Sequence, residues 1–349
     1  MSTIVSLVPR ERFVKTGVDI PDGWKLIFLE QFSEEDIIKA CRGADFLLAL
    51  SGFSPAPITA RVIKAIPSVK MIQMDGVGYD TVDVNTAAEY FLPVANNAGQ
   101  NAGAVAELIL GMIVALQRCV LVSDREIKAG NYNQLRRQLI ETGLRDIYGT
   151  KLGLIGLGAI GRKVAEVVGM LGAKLYYYDV YRAAENTETE LGIKYRSLDE
   201  LLTESEIISM HVPLTEQTRG MIGRREFGLM RSGAIFINTA RGEIVDQTAL
   251  AEFLENGHLG GAAIDTLSPE PPLPDHSLLN LSPTAREKLL LTPHLAGVTV
   301  GAFRRMLFNA LDNMACVAKG KAPKYVVNGV HETWQYRMQK STGEYAGSN

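Results

Sequence analysis

Residues Lys151–Asp179, KLGLIGLGAIGRKVAEVVGMLGAKLYYYD, read as strand, glycine turn, helix and strand. KLGLIG is a short apolar run closed by Gly156-x-Gly158-x-x-Gly161, with Ala159 and Ile160 inside the turn. Val164, Val167, Val168 and Leu171 then recur at helical spacing, and KLYYYD is a β-rich run ending in Asp179. Each glycine has its own job in such a turn. Gly156 permits the tight bend, Gly158 lets the backbone approach a diphosphate, and Gly161 lets the helix pack on the strand. The helix start offers unpaired N–H groups and the positive end of its dipole to phosphates. Asp179 lies 18 residues past Gly161, near the offset of about 20 at which an acid meets the adenosine ribose hydroxyls. A dinucleotide site is therefore expected. An acid here repels a 2′-phosphate, so NAD is expected ahead of NADP; Arg182 nearby works the other way.

Outward from this unit, 349 residues suit two domains better than one. A net charge of −3 argues against nucleic acid or an anionic membrane as partner. Cys41, Cys119 and Cys316 have no paired or metal-ligand spacing, so reduced core thiols and no metal are expected. The start, MSTIVSLVPRERF, lacks a signal-peptide pattern, which points to a cytoplasmic protein. Ala102–Leu116 is apolar but short for a bilayer and carries Glu107, so it reads as a buried helix.

Before residue 100, TIVSLVP, KLIFLE, DFLLAL, KMIQMD and LPVANN read as strands. SEEDIIKAC, ITARVIKAI and VDVNTAAEY read as helices, the first capped by Ser33 with Asp36 three residues on. Such alternation predicts a parallel sheet with crossover helices. The long apolar helix is expected to begin at Ala102, capped by Asn101. Residues 119–150 are polar and read as an excursion over the surface or onto a second subunit. After the glycine unit, strands are expected at 207–212, 233–240, 261–266 and 289–294, with QTALAEFLENG as a helix ended by Gly257, then a helix over Gly301–Lys319 and a disordered tail, STGEYAGSN.

The later strands end in polar and reactive residues: His211, Val212 and Pro213; Thr239, Ala240 and Arg241; Asp265 with Glu270; and His294. Ligands of open α/β sheets collect outside the carboxyl ends of strands. Hydride transfer between a 2-hydroxy acid and its keto acid needs such a set. Arg presents a planar fork to a carboxylate. His gives or takes a proton near neutral pH, and a carboxylate behind it orients the ring and favours its protonated form. Taken singly, His294 reads as a turn residue, Arg241 as a surface arginine and Glu270 as a solvated acid. Their shared placement after a dinucleotide turn favours chemistry. The loops SGFSPAPI (51–58) and DGVGYD (75–80) also follow strands, although the second is equally consistent with a plain glycine turn.

GLGAIGRKVA, HVPLT, NTARGEIVD, DTLSPEP and TPHLAG together resemble the successive signatures of the D-isomer-specific 2-hydroxyacid dehydrogenase family, which includes glyoxylate/hydroxypyruvate reductases and phosphoglycerate and D-lactate dehydrogenases. The resemblance runs from DGVGYDTVDV to the helix after His294. It implies an α/β fold of two Rossmann-like, doubly wound parallel-sheet domains with a cleft between them. Residues 1–100 plus 299–349 would form a flavodoxin-like substrate-binding domain and 101–298 the NAD-binding domain. Arg241 would bind the substrate carboxylate, His294 would be the acid/base and Glu270 its partner. Gly76, Val77, Gly78 and Ser51 would meet the substrate. Gly156, Gly158, Ala159, Ile160, Gly161, Asp179, His211, Val212, Pro213, Thr239, Ala240, Asp265, His294 and Gly297 would line NAD, Asp265 meeting the carboxamide. A homodimer through the NAD domain and closure about hinges near 100 and 298 are implied as well.

Departures from the family pattern bear on the substrate. The segment between Glu270 and His294 is longer than usual, with PTAREK as the addition, which bears on whether the two pair. The 51–58 loop lacks the basic residue of phosphoglycerate-type members, so a substrate phosphate is not expected unless Arg136–Arg137 of a second subunit supplies charge. Phe53, Pro55 and Pro57 suggest a partly apolar wall. A 3-phosphoglycerate dehydrogenase and a non-catalytic, NAD-responsive corepressor-like protein stay open as alternatives. Glu270, where formate-dehydrogenase-like relatives have glutamine, argues against a third.

Overall fold

The computed structural model describes residues 2–51 and 57–332. Five strands form one sheet: β1 (Thr3–Ser6), β2 (Lys25–Phe28), β3 (Phe46–Ala49), β4 (Met71–Met74) and β5 (Val94–Ala95). Their spatial order is β2-β1-β3-β4-β5, and every neighbouring pair is parallel. Seven more form a second sheet: β6 (Lys151–Ile155), β7 (Lys174–Tyr178), β8 (Ile193–Tyr195), β9 (Ile207–Met210), β10 (Ile235–Asn238), β11 (Gly261–Ile264) and β12 (Leu289–Leu291). Here the order is β12-β11-β10-β9-β6-β7-β8, again all parallel. The chain divides into two compact units, Met1–Asn101 with Val298–Asn349, and Ala102–Gly297.

Parallel strands are covered on both faces, which is why FLLA of β3 and MIQM of β4 are buried at every position. In the first unit, Val5, Leu47 and Ile72 face Ile37, Val62 and Ile63 of the helices Glu34–Ala40 and Ala60–Ala65. Alternation sends Ile4, Phe46, Leu48 and Met71 to the other face. There they meet Phe13 of the helix Arg10–Thr16 and Leu307, Leu311 and Met314 of the helix Val300–Ala318. Gln73 interrupts this apolar sheet and is fully buried. Its Nε2 donates to Met74 O and Asn96 O, while its Oε1 accepts from Asn313 Nδ2 of the last helix at 2.8 Å. Asn309 of that helix donates to Asn97 Oδ1, and Asn97 Nδ2 donates to Met74 O. Amides of the C-terminal helix thus grip the end of β4.

In the second unit Leu152 and Leu154 face Val105, Ile109 and Met112 of the helix Ala102–Gln117. Ile155 packs on the opposite face with Ile208, Phe227 and Leu250. The apolar helix is therefore core. Among the described residues no single helix is long and apolar enough to cross a membrane.

Several local expectations need correction. Asn101 does not cap the apolar helix; its Oδ1 is buried and accepts no hydrogen bond among the described residues. The polar excursion is two helices, Val120–Lys128 and Tyr132–Thr142, the chain turning at Cys119 with φ 49°. Cys41 is buried, whereas Cys119 and Cys316 are only half-buried. The helix Arg10–Thr16 and strand β8 carry no clear apolar period and are not among the elements expected from the sequence. The helix Gln247–Glu255 ends two residues before its left-handed glycine, with Asn256 at the C-cap and Gly257 at φ 76°. Ser33 accepts from the backbone of Asp36 as expected. Phe53, Pro55 and the tail STGEYAGSN lie outside the described residues.

Candidate active site

Spatial strand order sorts the candidate residues of the second unit. Reading across the carboxyl ends, β12 leads to His294, β11 to Asp265, β10 to Arg241, β9 to His211, β6 to Gly156 and β7 to Asp179. The order in which successive strands are added reverses between β9 and β6, the point at which open sheets leave a crevice. Neighbouring strands lie about 4.8 Å apart, so about 10 Å separates the ends of β6 and β10. The glycine turn lies on one side of this switch point, and Arg241 and the His294–Glu270 pair lie on the other.

The turn after β6 is tightly built. Gly156 has φ 99°, and a Cβ there would come within 2.8 Å of the His211 carbonyl carbon. At Gly161 a Cβ would overlap Gly156 O, so the helix Ala159–Gly169 lies directly against the turn. Gly158 is the N-cap of that helix, has no side-chain cap and meets nothing within 4 Å of its missing Cβ. The first-turn N–H groups around Ala159 and Ile160 therefore face open space, the arrangement a diphosphate needs. Asp179 Oδ2 accepts from Leu157 N at 2.8 Å, which ties the acid to the turn. Arg182 points away into a bidentate pair with Glu188 at 2.9 and 3.0 Å. Hydrogen bonds from Arg182 and Tyr177 hold the Glu188 carboxyl down at about 2. These residues fit a dinucleotide.

His211 follows β9 and packs beside the glycine turn. Although the residue is partly exposed, both ring nitrogens are shut off from solvent and have no partner among the described residues. Desolvation pushes its pKa down to about 3. Val212 and Pro213 continue this chain end beside it.

The opposite side is a lattice of hydrogen bonds around Asp265, which is 1% exposed. Its Oδ1 accepts from Thr292 Oγ1 at 2.5 Å and Leu295 N at 2.7 Å, and its Oδ2 from Ala296 N at 2.9 Å. His294 N donates to Asp265 O at 2.7 Å. This grip holds His294 at φ 54°, a left-handed conformation costing a β-carbon residue about 1–2 kcal/mol. The strained backbone delivers the ring to Glu270: Nδ1 lies 2.9 Å from Glu270 Oε2, while Oε1 accepts from Leu267 N at 3.1 Å. A carboxylate only accepts, so Nδ1 carries the hydrogen and Nε2 is left for a ligand. The extra PTAREK residues form a helical turn, Pro283–Arg286, capped by Ser282 and tied to Glu255, and the Glu270–His294 pair closes regardless of it.

Thr239, Ala240 and Arg241 turn around the buried Asn238, whose Oδ1 accepts from Ala240 N and whose Nδ2 donates to Arg241 O. Arg241 Nη1 donates to Ala240 O at 2.8 Å. A Cβ on Gly242 would collide with Leu267 and Ser268, so that glycine lets the Glu270 loop approach. Asn238 was missed by sequence reading; its one signal was an amide at the end of an apolar strand. Gly297 ends this unit.

In the first unit, Gly76, Val77 and Gly78 follow β4. Among the described residues neither Val77 N–H nor Gly78 N–H donates a hydrogen bond, while Asn96 Nδ2 holds Val77 O at 2.8 Å. Before them Asp75, nearly buried, accepts from Ser51 N at 2.7 Å and Ser51 Oγ at 2.8 Å. Its other oxygen pairs with Arg12 Nη1. Burial pushes the Asp75 carboxyl upward; the Arg12 charge and the Ser51 donors oppose that push.

Residues 110–296 match the family model described as D-isomer specific 2-hydroxyacid dehydrogenase, NAD binding domain. The chain is 35% identical to a glyoxylate reductase of Korarchaeum cryptofilum over 85% of its own length and 86% of that protein. It is 34% identical to a D-3-phosphoglycerate dehydrogenase of Archaeoglobus fulgidus over 79% of its length but only 50% of that protein. The crystal structure of apo D-mandelate dehydrogenase from Rhodotorula graminis superposes with a TM-score of 0.82 at 26% identity, covering 93% of this chain and 97% of that one.

Proposed function

The chain belongs to the D-isomer-specific 2-hydroxyacid dehydrogenase family and is a nicotinamide-dependent oxidoreductase; from that premise we propose that it interconverts a D-2-hydroxy acid and its 2-keto acid, with Arg241, Glu270 and His294 as its machinery. The observation that carries this is the 2.9 Å His294–Glu270 pair beside the Arg241 turn, at adjacent strand ends.

A bound nicotinamide supplies hydride to the keto carbon or takes it from the hydroxy acid. The chain does the rest. The substrate carboxylate is assigned to the Arg241 guanidinium, whose planar fork suits it, and to the N–H groups of Val77 and Gly78, which donate no hydrogen bond among the described residues. In reduction, Nε2 of protonated His294 gives its proton to the keto oxygen. In oxidation neutral His294 takes it back. Glu270 keeps the ring in one tautomer and offsets the imidazolium charge. Asp265 fixes the loop on which the ring rides.

NAD is the proposed cofactor in preference to NADP. Asp179 stands where a 2′-phosphate would be repelled, and Arg182, the nearby cation able to receive one, is engaged by Glu188. A cytoplasmic homodimer is part of the same proposal. Support for the dimer comes from the helices Val120–Lys128 and Tyr132–Thr142, which leave an open hollow of about 600 Å³ among Ile127, Tyr132, Leu135, Leu139, Ile140 and Leu144. Ile127, Tyr132 and Ile140 are 49–63% exposed, an apolar patch of the kind that marks a subunit interface.

The test is a spectrophotometric panel of glyoxylate, hydroxypyruvate, pyruvate, longer 2-keto acids and 3-phosphohydroxypyruvate, with NADH and NADPH in parallel. Turnover of at least one keto acid, faster with NADH, is expected. Silence across the panel would sink the catalytic reading, and a preference for NADPH would overturn the role of Asp179.

A further inference from the structure

The 51–58 loop has no basic residue, yet a cation bonds the same carboxylate, that of Asp75, to which Ser51 is bonded. Arg12 reaches it from the helix Arg10–Thr16. Two contacts hold this side chain in place. Nη1 pairs with Asp75, and the guanidinium lies over the Phe303 ring with its carbon 4.2 Å from the centroid. Stacking and pairing together pre-set the fork, so little rotamer freedom remains to be lost when it binds. Among the described residues Nε and Nη2 donate no hydrogen bond, and the side chain is 25% exposed. Free donors on an immobilised, partly open guanidinium are ready for a ligand. Asp75, the other half of the pair, is bonded twice to Ser51 and directly precedes Gly76, Val77 and Gly78. A Cβ on Gly76 would overlap Ser51 Oγ, so the two loops touch there.

We propose that Arg12 is a specificity-determining residue whose free donors bind the C3 hydroxyl of a 3-hydroxy-2-oxo acid. This rests on the carboxylate being held at Val77 and Gly78, as proposed above. Asp75 balances the charge of Arg12. A phosphate in the same place would bring two negative charges to a neutral pair and meet the Asp75 carboxylate, whereas a hydroxyl needs only hydrogen bonds. The pair therefore selects the hydroxyl over its phosphate ester, although the same arginine without its acid would favour the ester.

Steady-state kinetics of the full chain with the nicotinamide cofactor test this. The substrates are glyoxylate (no C3), pyruvate (a methyl), hydroxypyruvate and 3-phosphohydroxypyruvate; the proteins are wild type, Arg12→Lys and Asp75→Asn. Lysine keeps a charge for Asp75 but loses the spare nitrogens of the fork. Arg12→Lys is expected to lose about 10–100-fold more kcat/KM on hydroxypyruvate than on glyoxylate, chiefly through KM. Asp75→Asn unbalances the arginine and should raise the ratio of phosphohydroxypyruvate to hydroxypyruvate turnover about tenfold. A merely structural pair cannot produce that gain, and this arm stands even where Arg12→Lys fails to fold. Parallel losses on glyoxylate and hydroxypyruvate, or an unchanged ratio in Asp75→Asn, overturn the proposal. So does a wild type that prefers pyruvate to hydroxypyruvate. These results leave the dehydrogenase reading intact; a wild type inactive on every keto acid defeats that reading instead.

Discussion

At the ends of β10, β11 and β12 the polar residues follow their strands within a few positions, and each strand contributes its own. At the end of β4 the turn is held by residues far away in the chain. Arg12 lies 63 positions from Asp75, Asn309 lies 212 from Asn97, and Asn313 lies 240 from Gln73. One site is made of local turns that a parallel sheet brings side by side. The other is a turn made rigid by a long-range buried network. The first kind leaves motifs in a sequence, since a turn needs particular residues at particular offsets. The second leaves none, since any element arriving at the right place can supply the amide or the guanidinium.

The second unit should accordingly lose chemistry from one side chain, whereas the first should lose order from a distant one. The largest effect is expected from His294→Ala. Removing the proton donor should lower kcat in both directions on the order of 10²–10⁴-fold with the melting transition little moved. Near-normal turnover would dissolve the active site as described. Next comes Asn313→Leu. It leaves the fully buried Gln73 Oε1 without its donor and removes the acceptor of Lys324 N–H, on a residue that is itself exposed; a stranded buried acceptor plus one further lost hydrogen bond costs about 2–3 kcal/mol together. Hydrogen exchange should then quicken around Gln73–Ala98, far along the chain from the substitution, and unchanged protection there would refute the network.

The smallest effect belongs to His211. Its folded pKa is about 3 against an ordinary 6.5. Between those values the unfolded chain binds a proton that the folded chain refuses. Stability is therefore complete above pH 6.5 and lost progressively as pH falls toward 3. From pH 7 to pH 5 the loss is about 2 kcal/mol. Urea unfolding of the cofactor-free protein at the two pH values, in wild type and His211→Leu, checks it. The leucine variant should show a gap smaller by about that amount, and equal gaps would mean that the ring is hydrated.

Sequence reading went furthest where covalent neighbours do the work. The glycine turn, its helix and Asp179 were legible because a tight bend, a close helix and an acid at a set distance leave few residue choices. The strands were legible as apolar runs. Legibility failed at β8 and at the helix Arg10–Thr16, short segments with no clear apolar period, and at the cap of the apolar helix, where Asn101 turns its oxygen inward with no partner among the described residues. It failed also for Asn238 and Arg12, whose roles come from contacts rather than offsets.

By itself, then, the order of residues determined two parallel α/β sheets, a dinucleotide turn and a set of candidate acids, bases and cations. Tertiary structure alone decided that Glu270 and His294 meet, because they stand 24 positions apart and the chain between them had to fold away first. It alone decided that Asp265 grips the histidine loop and that Arg12 and Ser51 share the Asp75 carboxylate. Short-range sterics restrict residue identity strongly, while a contact closed across a long loop restricts only where two side chains end up.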